Sequence, residues 1–247
     1  MKIGSRRLWV VMSLVVMAFT GCGVGPNVQG SGRVVREERQ TPDFVALKVN
    51  DGIEASVRVD PSQPRTVHLV GDDNLVALVR AEKVGSDTLH VHLRADEVGS
   101  WSSSNPLRVE VTVPDLEALT RSDGSTVEVS GNIAPASFSL TASGGGRVKV
   151  SGLATESLSM QVSGGGEVTL EGSATRVTST MSGGSELKAR DFSAQDATLS
   201  SSGGGATVMR VSGSLRVTAS GGGVVHIVGQ PSVRSRALSG GSTLTFE

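Results

Sequence analysis

The chain has 247 residues, 23 basic against 24 acidic, with 32 glycines, no tyrosine and 3% aromatic residues. That length allows one or two ordinary domains with a sizeable core. Balanced charge argues against a polyanion-binding protein, since nucleic-acid binders carry a basic excess or stripe, and the shortage of aromatic mass argues against a conventional α/β enzyme core.

Lys2, Arg6 and Arg7 precede an apolar run from Leu8 to Phe19. A charged start followed by about 7–15 apolar residues is a signal-peptide pattern, too short for a membrane-spanning helix. The run ends at Phe19-Thr20-Gly21-Cys22, which resembles the lipobox of bacterial lipoproteins, with Phe where Leu is preferred. Residues 1–21 are therefore expected to be a signal peptide and Cys22, the single cysteine, the lipidated first residue of the mature chain. Attachment to a membrane through this N-terminal lipid follows, and Gly23 after the cysteine implies the outer membrane. Ser5-Arg6-Arg7-Leu8-Trp9 also resembles a twin-arginine export signal, so the export route stays open. Residues 22–32, rich in glycine and holding Pro26 and Asn27, read as the lipidated cysteine and a flexible tether, spanning on the order of 18 Å.

Residues 33–115 show strand-like segments at Phe44 to Val49, Ile53 to Val59, Thr66 to Val70, Leu89 to Leu93 and Leu107 to Val113, with a turn at Asn50-Asp51-Gly52. Asn74 to Arg80 is expected to make a short helical turn capped by Asp72 or Asp73. This section is either a set of irregular coils beginning the same solenoid or a small β subdomain leaning on it.

Residues 116–247 are repetitive. Seven corners begin at Ser122, Ser143, Ser163, Ser182, Ser202, Ser220 and Ser239, spaced 18 to 21 residues apart; six read Ser-Gly-Gly and the first Ser-Asp-Gly. A period near 20 with strand-like flanks lies in the solenoid range. The flanks alternate apolar and polar, as in Leu158-Met160-Val162 before one corner and Val168-Leu170 after it. Alternation at period two is the signature of a half-buried strand. The expected fold is all-β: a parallel β-helix or solenoid of about seven Ser-Gly-Gly coils after an irregular N-terminal β section. Corner stacked on corner leaves no room for side chains, and matched serines are expected to form a hydrogen-bonded ladder. A second corner near Gly152 and Gly172 is less regular. Arg234 and Arg236 stand where other coils are apolar, so the last coil reads as a polar cap.

The run from Phe44 to Val57, containing Asn50-Asp51-Gly52-Ile53, resembles the opening of the head GIN domain family of putative auto-transporter adhesins. Gly71-Asp72-Asp73-Asn74-Leu75, Val113-Pro114-Asp115-Leu116 and the glycine corners support the resemblance, which covers about residues 33 to 247. It implies a right-handed β-helix in the bacterial envelope. It carries over no activity and no established functional residue.

The residues themselves offer few chemical candidates. Asp123, Glu128, Glu167 and Glu171 lie in the coils but do not converge in sequence, whereas acid–base cleavage of a polysaccharide needs two positioned carboxyl groups. The corners lack the repeated Asp of calcium-binding rolls and the Gly-Lys-Ser/Thr ending of a phosphate loop. His90 and His92 share one strand face and read as its polar side, as do His68 and His226 on theirs. No metal site and no cofactor are expected. Trp101, in the loop-like stretch Gly99 to Pro106, is the candidate ligand contact. The sequence thus points to a non-enzymatic, lipid-anchored envelope scaffold or binding protein, adhesin-like, with envelope polysaccharide, glycan or protein as candidate partners and no nucleic acid. The competing readings are a carbohydrate-active β-helix enzyme and a purely structural envelope protein.

Overall fold

The computed structural model describes residues 25–247; Cys22 and the signal segment lie outside the described residues. The regular structure of the described part is almost entirely strand. Its one helix is the single turn Asp73–Val76.

The Ser-Gly-Gly coils stack in parallel and in register. Ser137–Ala142 lies on residues 157–162, those on 176–181, and those in turn on 196–201 and 214–219. The strands after the corners do the same, from Thr126–Gly131 through residues 147–150, 167–169, 186–188 and 206–210 to Val224–Val228. The seven corners bound about six complete turns of solenoid. Register follows from parity. A slip by one residue would turn every buried side chain outward, and the buried columns hold Leu119, Leu140, Met160, Leu199 and Val217 at matched heights.

The less regular second corner is no corner at all. Arg147–Val162 runs as one strand that bends at Gly152, with a register shift between Ser151 and Leu153. A Cβ on Gly152 would lie 2.3 Å from the carbonyl oxygen of Gly131 one rung before it, and its φ is +85°. Glycine is required at this bend by contact as well as by dihedral.

The Ser-Gly-Gly corners divide by position. The first glycine sits directly on the corner before it: a Cβ on Gly183 would stand 2.5 Å from the Gly164 oxygen. The second glycine, as at Gly184, faces open space, which corrects the expectation that the whole corner excludes side chains. The serine ladder does not form either. The corners are tied through the backbone, with Ser163 N–H donating to Ala142 O at 2.9 Å and Gly184 N–H to Gly164 O at 2.9 Å.

The N-terminal section belongs to the same solenoid but enters it out of chain order. Ala46–Val49 and Glu54–Val59 form a rung on Ala118–Arg121 and Thr126–Gly131. Thr88–Leu93 and Arg108–Val113 then add a further rung outside that one. Antiparallel strands close this end: Val79–Val84 on Thr88–Leu93, Thr66–Asp72 on Arg108–Val113, and Val34–Glu38 on Thr66–Asp72. One continuous core runs from Phe44 to Leu244.

Three expectations need correction. The helical turn stops at Val76 with Asp72 as N-cap residue, but Asp72 makes no side-chain cap bond, and Val79 onward is strand. The segment read as a flexible tether is pinned where it is described: Asn27–Gln29 pairs with Ser100–Ser102, and Gly30 N–H donates to Ser102 O at 2.8 Å. Composition suggested flexibility, but strand pairing draws on backbone groups that composition does not reveal. The stretch around Trp101, read as loop, is the partner strand of that pair.

Candidate functional site

In the outermost parallel rung the connection from Arg94 to Leu107 replaces the short glycine corner of the other coils. It is held at three points. Val98 N–H donates to Arg94 O at 2.9 Å, closing a turn, and Gly99 N–H donates to Pro26 O at 3.0 Å. At its far end the Asp72 carboxylate, almost fully buried, accepts from Ser103 Oγ at 2.6 Å and from Asn105 Nδ2 at 2.7 Å. Those two bonds hold its carboxyl below the ordinary 3.8.

This connection brings Trp101 over the next corner. The indole Nε1–H donates to Asp51 O at 2.8 Å, and a Cβ on Gly52 would lie 3.7 Å from the ring edge. Trp101 is half-buried, packed against the core on one side. Beneath it opens a cleft of about 490 Å³, with Leu93 and Val98 as apolar lining and Asp51 and Asp123 as carboxylates.

Asp51 and Asp123 occupy the place that the first glycine takes in the other corners. Both have left-handed backbones, φ +63° and +54°, and among the described residues no other non-glycine residue has positive φ. Aspartate tolerates this region better than most residues but still at a cost relative to glycine. Asp51 Oδ2 accepts from Leu93 N–H at 2.8 Å. Asp123 Oδ2 accepts from Ser122 Oγ at 2.6 Å and from Asn50 Nδ2 at 3.2 Å. Each carboxylate keeps acceptor capacity beyond these bonds, since an ionised carboxylate offers about four lone-pair sites. Chemically, the cleft is suited to hold a ring against the indole while its hydroxyl groups donate to two carboxylates.

The histidine pair adjoins the site without entering it. The rings of His90 and His92 stack with centroids 4.2 Å apart. His90 Nε2 meets Asn50 Oδ1 at 3.3 Å, and His92 meets Leu93 O at 2.8 Å through Nδ1 and Glu82 at 3.2 Å through Nε2. Burial, then the charges of His92 and Lys48, lower His90 to about 4, so it is neutral at ordinary pH. Among the described residues no three His, Cys, Asp or Glu side chains gather into a metal-holding group.

The other carboxylates singled out in the sequence lie elsewhere. Glu167 sits on the outer face between Lys188 at 2.8 Å and Arg147 at 3.5 Å, and those cations hold its carboxyl below the ordinary 4.5. Glu171 pairs with Lys149 at 3.2 Å, and Glu128 lies on the same outer face beside Lys149. These are ladder contacts between exposed side chains, and pairs of this kind contribute little individually. Of the carboxylates named from sequence, only Asp123 reaches the cleft, and it does so with Trp101. Asp51 was visible in the sequence as part of a turn signal and of the run that carries the family resemblance, but not as a site residue.

Sequence reading missed Arg121. It is fully buried, in the column between Val49 and Ala142. Its Nη1 donates to Ser143 O at 2.7 Å and to Gly145 O, and Nη2 reaches Gly146 O at 3.4 Å. Burial lowers its pKa, and nearby Asp123 opposes that shift. The signal was available as parity: Leu119 faces inward, so Arg121 must as well.

The family model for putative auto-transporter adhesin, head GIN domain, matches residues 43–231. The chain belongs to this family. Among solved structures, a putative adhesin from Bacteroides fragilis NCTC 9343 superposes with a TM-score of 0.77 at 21% identity, covering 89% of this chain and 98% of that one. A putative adhesin from Parabacteroides merdae ATCC 43184 gives 0.67 at 16% identity, covering 90% and 99%. A putative lipid binding protein from Parabacteroides distasonis ATCC 8503 gives 0.68 at 16%, covering 90% and 100%. At these identities the likeness establishes the head GIN domain fold. No curated protein matches the chain. The head GIN domain description is that of an adhesin-like protein.

Proposed function

We propose that the protein is a lipid-anchored, non-enzymatic envelope protein that binds a saccharide-bearing partner in the cleft beneath Trp101. One observation carries the binding site: among the described residues, the only two non-glycine residues with positive φ are carboxylates, and both line the cleft that Trp101 covers. Residues held in sparsely populated backbone regions persist where the surroundings enforce them, and they cluster at ligand sites. Family membership supports the adhesin-like character, and the pattern ending at Cys22 supports the anchor.

Two measurements test the two halves. Cells carrying Cys22→Ala should release the protein from the membrane fraction into the soluble one; continued partition with membranes would sink the anchor. For the site, a panel of neutral and acidic envelope polysaccharides is titrated against wild type, Trp101→Ala and Asp123→Gly. Trp101→Ala should weaken binding by upward of about 2 kcal/mol, the scale of an aromatic hot spot. Asp123→Gly separates binding from folding, because it restores the residue that suits the corner. It should keep the unfolding midpoint and still lose affinity. No binding by wild type, or equal binding by all three, would remove the cleft from the reading.

A further inference from the structure

The two ends of the solenoid are finished differently. At the end where Thr88–Leu93 and Arg108–Val113 lie, antiparallel strands cover the rung, and Leu89, Val91 and Val109 have no exposed surface. At the other end the last rung is Ser232–Leu238 and Thr243–Phe246. It pairs only inward, with residues 214–219 and with Val224–Val228. Phe246 continues the buried column of Ile227 but is 45% exposed, and Val233 continues that of Leu215 but is 44% exposed. Val224 is 46% exposed, so three of the five exposed large apolar side chains of the described residues lie on the last two rungs.

Charge is divided the same way. Residues 206–247 hold Arg210, Arg216, Arg234 and Arg236 against one acid, Glu247, whereas residues 25–205 hold 16 basic and 23 acidic residues. Glu247 is already engaged by Arg190 at 2.8 Å and His226 at 3.0 Å. Arg234 and Arg236 are exposed, and Arg236 stands opposite the buried Val217 at the mouth of the core. Two such ends meeting face to face would bring like charges together. What this end complements is a surface that is negative, able to receive a few apolar side chains, and wet enough to hydrate unpaired strand edges. The headgroup layer of an anionic bilayer has all three properties.

We infer that the uncapped end of the solenoid docks against a membrane surface carrying anionic phospholipid headgroups, with Arg234 and Arg236 on the phosphates and Phe246 and Val233 entering the interface. This contact is independent of the N-terminal lipid and lies at the opposite end of the rod from the strand that follows it.

The test uses residues 25–247, which hold every described strand and the whole core and carry no acyl chain. The protein is sedimented with vesicles of phosphatidylcholine alone and of phosphatidylcholine with phosphatidylglycerol. It should partition onto the anionic vesicles at least tenfold more strongly and be released by raised salt. Arg234→Ser with Arg236→Ser should weaken that partition about thirtyfold, at about 1 kcal/mol for each cationic side chain near the surface. Arg234→Lys with Arg236→Lys should retain most of it, and an unchanged unfolding midpoint shows that each variant is folded. Equal partition onto both vesicle types, no partition onto either, or a double serine variant that binds like wild type overturns the proposal. Concentration-dependent self-association that the serine pair abolishes would also overturn it, assigning this end to a second copy of the chain.

Discussion

Gly183→Ala should destabilise the protein by about 3 kcal/mol, while Gly184→Ala, one residue on, should change stability by less than about 0.5 kcal/mol. The two glycines share one corner and differ in what surrounds them. Gly183 has φ +78°, which costs an ordinary residue about 1–2 kcal/mol. The added methyl would also stand 2.5 Å from the Gly164 carbonyl oxygen, a backbone atom held by the rung and unable to rotate aside. Overpacking of this kind adds about 1–3 kcal/mol. At Gly184 a Cβ meets nothing within 4 Å, and the N–H donated to Gly164 O is kept by alanine. Urea or thermal unfolding of the two variants beside wild type checks the contrast. For a chain of this size the first should lower the thermal midpoint by roughly 6–12 °C. Equal midpoints would mean that the corners do not stack as described.

Arg121→Ala should cost on the order of 4 kcal/mol. The guanidinium is the donor for carbonyl oxygens of Ser143 and Gly145, which lie inside the corner of the following coil. Removing it leaves these buried acceptors unpaired, at about 1–3 kcal/mol each, and opens a cavity below Val49. Arg121→Lys should recover only part of the loss, because an ammonium on a flexible stem does not reproduce a planar fork of donors. The exposed Arg176→Ala serves as control and should fall within about 0.5 kcal/mol of wild type. Denaturant titration of the three variants decides it. An Arg121→Ala protein as stable as wild type would show that the corner carbonyls are satisfied without the guanidinium.

Arg121 also bears on the candidate site. It lies two residues before Asp123, so the coil that sends its guanidinium into the following corner, Ser143-Gly144-Gly145, carries the cleft carboxylate on its own corner. The corners nearest Trp101 are thus the ones where the repeat departs from glycine, with Asn50-Asp51-Gly52 and Ser122-Asp123-Gly124 in place of Ser-Gly-Gly. These departures were legible in the sequence as irregularities. That they face one cleft was not, because Asp51 and Asp123 are 72 positions apart and become neighbours only through the pairing of Ala46–Val49 with Ala118–Arg121.

The same distinction runs through the fold. Period-two alternation and the spacing of the Ser-Gly-Gly corners determined the strands, the inward faces and the parallel stacking of residues 116–247, because local patterning and a fixed repeat length leave one register that buries the apolar side. The first glycine of each corner was legible for the same reason; the freedom of the second was not, since open space beside a residue leaves no mark on its neighbours in sequence. The N-terminal section lacked a repeat, and its strands from Phe44 to Val113 could be marked but not ordered. Tertiary structure alone decided that residues 88–113 form a rung outside residues 46–59, that antiparallel strands close that end, and that Asn27–Gln29 crosses back to hold the Trp101 strand. Those choices depend on hydrogen bonds between backbone groups distant in the chain, which every residue but proline can donate and which no side-chain pattern encodes.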